Sequence, residues 1–131
     1  MPIEVRVDTG ARLIRATLSG EVSFEEMALA VNQSVQHPDV APGFNVFSDH
    51  RELAEPATRL QLEQLVDHLT RFKDKMGGAR WAVVTHPGSA SYGMMRMLGF
   101  LAEAVPMVVR PFSDETEALA WLAEADQPPG P

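Results

Sequence analysis

At 131 residues, with 45% hydrophobic and 22% charged residues, the chain has the size and composition of one globular domain, which excludes disordered and fibrous classes. A net charge of -7 and a pI near 5.0 oppose binding to nucleic acid or anionic lipid, because both need a positive surface to displace counterions. The absence of cysteine removes disulfides, thiolate catalysis and thiolate metal sites together and fits a reducing compartment.

Ile3, Val5 and Val7 alternate with Glu4, Arg6 and Asp8, the period of two that marks a strand with one buried face. Thr9-Gly10-Ala11 turns the chain, and Ile14, Ala16 and Leu18 carry a second strand, completing a hairpin. Ser23-Phe24-Glu25-Glu26 has the form of a capping box and opens a first helix with Phe24, Met27, Ala28, Val31 and Val35 at helical spacing. His37-Pro38 ends it. An apolar strand from Phe44 to Ser48 is expected to finish on Asp49-His50-Arg51.

Thr58-x-x-Gln61 is a second capping box, followed by the stripe Leu62, Leu65, Val66, Leu69, Phe72 and Met76. His68 lies off that stripe and is expected in solvent. Gly77-Gly78 stops the second helix, and Trp81-Ala82-Val83-Val84 reads as a central parallel strand. A third helix is expected from about Ser89 to Ala104, a strand from about Met107 to Phe112, and a last helix capped at Ser113 or Asp114. The order β-β-α-β-α-β-α-β-α predicts a single α/β domain over residues 1–126. Its sheet is five-stranded, mixed but mostly parallel, with an antiparallel N-terminal hairpin. Residues 127–131 form a Pro-rich tail expected to be disordered.

This order of elements, with Val46-Phe47-Ser48-Asp49-His50-Arg51, Ser91-Tyr92-Gly93-Met94 and Glu117-Ala118-Leu119-Ala120-Trp121-Leu122, resembles the SpoIIAA-like (STAS) superfamily. It is most similar to the small stand-alone bacterial proteins of that fold. The resemblance implies a regulatory or binding module rather than an enzyme, and no cofactor. In the anti-sigma-factor antagonists of that superfamily a phosphorylated Ser in a D-S-S-G-like motif begins the helix after the third strand. Here Pro56-Ala57-Thr58 stands near that place, and Thr58 is read as an N-cap.

Ligands of parallel α/β sheets collect beyond the carboxyl ends of the strands. Asp49, His50 and Arg51 end one strand, His86 follows the next, and Ser89, Ser91, Tyr92 and Arg96 lie on or before the helix after it. The first turn of that helix carries no carboxylate, so its free N–H groups suit an anion, with Arg51 or Arg96 as counter-charge and the histidines as adjustable donors. The expected function is a non-catalytic module binding a small anionic or amphipathic ligand, or a protein partner. A small enzyme pairing His50 or His86 with Asp49, and a structural interaction domain working through the third helix, are the alternatives. Ser89-Ala90-Ser91-Tyr92-Gly93 echoes a nucleophile elbow, but every histidine precedes Ser91, contrary to that hydrolase order. No histidine has the short paired spacing of a zinc site, so no metal is expected. The third helix is apolar on two sides: Met94, Met97, Leu98 and Leu101 suit a core, while Tyr92, Met95, Gly99 and Phe100 suit a homodimer interface. No apolar run reaches the roughly 18 residues of a membrane span. The opening Met1-Pro2-Ile3-Glu4 is unlike a signal peptide, and a cytoplasmic location is expected.

Overall fold

The alternation of residues 3–8 and 13–20 produces an antiparallel pair, β1 (Ile3–Asp8) and β2 (Leu13–Gly20), with Ile3 opposite Leu18, Val5 opposite Ala16 and Val7 opposite Ile14. Those three pairs put one apolar stripe on one side of the sheet and leave Glu4, Arg6 and Asp8 on the other. Asp8 Oδ1 accepts from the Ala11 amide at 3.1 Å and holds the turn. The computed structural model describes residues 2–76, 78–88, 90–101 and 107–124, the side chains of residues 90, 91 and 99–101 excepted. The tail expected at 127–131 lies outside the described residues.

Beyond the hairpin come α1 (Phe24–Val35), β3 (Asn45–Leu53), α2 (Arg59–Leu69), a 3-10 turn at Thr70–Phe72, the one-turn helix α3 (Lys73–Met76), β4 (Arg80–Val84), α4 (Ala90–Leu101), β5 (Val108–Phe112) and α5 (Glu115–Glu124). Both capping boxes form: Ser23 and Glu26 satisfy each other's backbone donors at the start of α1, as do Thr58 and Gln61 at the start of α2. Thr58 is therefore an N-cap. Asp114, rather than Ser113, opens α5, its Oδ1 accepting from the Thr116 amide at 2.9 Å. The second helix expected from the sequence is broken by the 3-10 turn, yet Leu62, Leu65, Val66, Leu69 and Met76 all stay buried, because a single 3-10 turn alters the helical phase little.

The sheet order is β1-β2-β3-β4-β5, with β2 through β5 parallel. Crossovers of one hand that always step the same way place α1, α2 and α4 on one side, and among the described residues only α5, after the last strand, covers the other. The larger core lies under the three helices, around Leu62, Val83, Met95 and Leu98. A smaller one joins Leu13, Phe47, Ala82 and Val84 to Ala118 and Leu122 of α5. Buried Asn45 links the two ends of that layer, donating to the Leu122 carbonyl and accepting from the Arg80 amide.

Two expectations are corrected. β3 does not stop at Ser48 but runs to Leu53, so residues 49–51 are strand and alternate between the faces of the sheet. His68 is not in solvent: it is half-buried between α1 and α2, with Nε2 2.9 Å from Asn32 Oδ1 and its ring edge-on to Phe24 and Phe72.

Candidate functional site

The continuation of β3 decides the geometry of the expected site. Phe47, Asp49 and Arg51 face α5, whereas Val46, Ser48 and His50 face the three-helix layer. On the α5 side Arg51 is committed. Its Nε and Nη2 donate to the two oxygens of Asp49 at 2.9 and 2.7 Å, and Nη2 lies 3.5 Å from Glu115. The guanidinium hydrogen bonds are the main reason the Asp49 carboxyl titrates below its ordinary value. A side chain so paired is not the open counter-charge that an incoming anion needs, and Asp49 is no acid-base partner for a histidine on the opposite face. The expected His50–Asp49 pair is thus divided by the strand itself.

On the other side His50 is only 8% exposed. Its Nε2 lies 3.0 Å from Ser48 Oγ, and that oxygen accepts from Trp81 Nε1 at 2.8 Å. The remaining ring nitrogen, Nδ1, is buried with no hydrogen-bond partner. Burial pushes the imidazole down to about 4, the nearby Asp49 charge offsetting only part of the effect, so the ring is neutral at pH 7. His50 lines a cavity of about 110 Å³ between the sheet and α1, α2 and α4. The walls are apolar side chains such as Ile14, Ala16, Val31, Leu62 and Met95, and among the described residues no charged side chain lines it. Ser34, which also lines it, donates its hydroxyl to the Ala30 carbonyl at 2.7 Å.

The remaining expected residues fall as follows. β3 and β4 are parallel neighbours with Asp49 opposite Val84, so the chain leaving β4 through Thr85 and His86 passes the level of His50 and Arg51. His86 is exposed and Tyr92 half-buried, and each has contacts of its own. Arg96 is exposed. Ser89 and the side chain of Ser91 lie outside the described residues, as do the side chains expected at a dimer interface at Gly99 and Phe100. Met95, expected on the outer side of that helix, is instead 1% exposed in the core, because α4 turns that side toward α2 and the sheet. Among the described residues no three potential ligands gather around a metal position, and no helix is long and apolar enough to cross a membrane.

Two members of this arrangement, Ser48 and Trp81, carried no functional expectation. The signal was present: a Ser and a His two apart on one strand share a face, and an indole beside an apolar core needs an acceptor.

An open sheet with one antiparallel edge hairpin, three helices on one face and one on the other defines the SpoIIAA-like fold. The solved structure of an uncharacterized DUF3478-family protein with that fold, from Shewanella loihica PV-4, superposes with a TM-score of 0.58 over 92% of this chain and 91% of that one, at 17% identity. No family model matches the chain, and no curated protein matches it.

Proposed function

We propose that this chain is a non-catalytic binding module of STAS type that takes a small amphipathic molecule into the cavity beneath β3. The observation carrying this reading is the cavity of about 110 Å³ left between the sheet and three helices, with apolar walls. Protein interiors hold few voids larger than a water, so a space of this size and lining suits an amphipathic guest. That no charged side chain among the described residues lines the cavity favours an amphipathic ligand over an anionic one, since a buried anion requires a partner. Asp49 and Arg51 stabilise the strand that presents His50, and the reading assigns them no contact with the ligand.

Filling the void tests this. Ala16→Leu projects into the cavity from β2 and is expected to raise the melting temperature while abolishing binding of small apolar compounds detected by ligand-observed NMR. Unchanged binding in a stably folded Ala16→Leu protein rules out this cavity.

A further inference from the structure

The open sheet has two edge strands, β1 and β5, and they are finished differently. On β5 the Val108 amide donates to the Ala79 carbonyl and the Phe112 carbonyl accepts from the Thr85 amide. Even-numbered residues therefore bond to β4, and Val109 and Pro111 turn their backbone groups outward. Proline has no N–H to offer there, so that edge is closed to regular pairing. β1 carries no such guard. The Pro2 carbonyl accepts from the Ser19 amide at 2.8 Å, which fixes the alternation. Glu4, Arg6 and Asp8 bond to β2, while half-buried Ile3, Val5 and Val7 point their backbone groups away from the sheet. Among the described residues no strand takes them up. Arg6 also stands directly opposite Arg15, a like-charge pair, and neither guanidinium has a salt bridge among the described residues.

We propose that β1 pairs antiparallel with β1 of a second copy of this chain, joining two sheets into one about a two-fold axis at Val5. The choice of a second copy rests on the order of the charges along the strand. Outward-facing residues must meet outward-facing residues, so the two strands can slide past each other only in steps of two. Centred on Glu4, the pairing sets Glu4 against itself. Centred on Arg6, it sets Arg6 against itself and Glu4 against Asp8. Centred on Val5, it engages all three outward residues, with Ile3 across from Val7, and sets Glu4 of each copy opposite Arg6 of its partner. Both ion pairs fall on the α5 side, where each gives Arg6 the carboxylate that its own hairpin does not supply. On the other side the apolar row Ile3, Val5 and Val7 continues across the axis. The strand is thus complementary to itself in one register, the property that a two-fold interface requires.

Charge reversal tests both the surface and the register. Sedimentation equilibrium of the native chain is expected to show a monomer–dimer equilibrium in the micromolar range that weakens as salt rises. Glu4 and Arg6 are exposed, so reversing them leaves the monomer folded. Glu4→Arg and Arg6→Glu are each expected to weaken the dimer roughly tenfold, since each turns two attractive pairs into repulsive ones. The double variant carrying both changes is expected to recover it, because the pairs re-form with their signs exchanged. Val5→Pro removes the donor at the axis, an N–H that β2 does not use, and is expected to give a folded monomer. If that variant fails to fold, the charge variants decide alone. A native chain that stays monomeric at high micromolar concentration overturns the proposal. A dimer indifferent to both reversals overturns it as well and puts the contact on another surface, such as α4. Loss in the single variants without recovery in the double overturns the register, and the proposal with it.

Discussion

The two faces of β3 each carry one apolar and two polar residues over 46–51 but differ in hydrogen-bond economy. Toward α5, Asp49 and Arg51 satisfy each other through two hydrogen bonds at a partly exposed edge, above the well-packed contact of Phe47 with α5. Toward the three-helix layer, Ser48 and His50 sit deeper, beside a void, and one ring nitrogen is left over. A polar cluster that completes itself is a structural feature. One that borders unfilled apolar space lies at a candidate binding cavity.

Several measurements break or sharpen this contrast. The largest effect is expected from Phe47→Ala, which empties the α5-side core and costs about 4 kcal/mol in denaturant unfolding. Affinity for small apolar ligands is expected to survive it under conditions where the variant is folded, and a parallel loss of binding would join the two faces into one unit. Next is acid. His50 has its folded pKa lowered from 6.5 to about 4, so between these values the unfolded chain binds a proton that the folded one refuses. Stability is therefore unaffected by this group above pH 6.5, falls as pH drops through that window, and by about pH 4 has lost roughly 3 kcal/mol. Chemical unfolding at a series of pH values should show this slope, and His50→Leu should lack it. At pH 7.5 the same variant removes the orphaned nitrogen but also the partner of the buried Ser48 hydroxyl, so the two effects, each about 1 kcal/mol, are expected to offset.

The smallest effect belongs to the charged pair. A double-mutant cycle on Asp49→Ala and Arg51→Ala is expected to give a coupling of about 0.5 kcal/mol, because the guanidinium is over a third exposed and solvent screens it. The lowered Asp49 pKa makes this contribution present above 3.8 and lost as pH falls through the folded value, below the window of His50. A coupling above about 2 kcal/mol, measured by unfolding, would make the α5 side the more tightly organised of the two.

Much of the fold is legible in residue order. The capping boxes at Ser23 and Thr58, the alternation in the hairpin and the unbroken apolar run at 81–84 each place an element where the structure has it, because their causes are local. Asp49-His50-Arg51 reads differently in the chain and in space. Three polar residues after an apolar stretch look like the end of a strand, yet pairing with β2 carries β3 on to Leu53. Once a segment is strand, its alternation separates neighbours, as it puts Asp49 and His50 on opposite faces. Met95 shows the same limit on a helix, since a helix apolar on two sides does not reveal which side the sheet will take.

Periodicity and caps, which are properties of short stretches of chain, thus settled the element order, the hairpin and the mostly parallel sheet from the amino acids alone. Packing decided the rest. That Trp81 of one strand reaches Ser48 of the next, that the hydroxyl in turn reaches His50, and that three helices fail to fill the space in front of that ring are facts about groups far apart in sequence. Only the register between β3 and β4 and the layer above them bring those groups together.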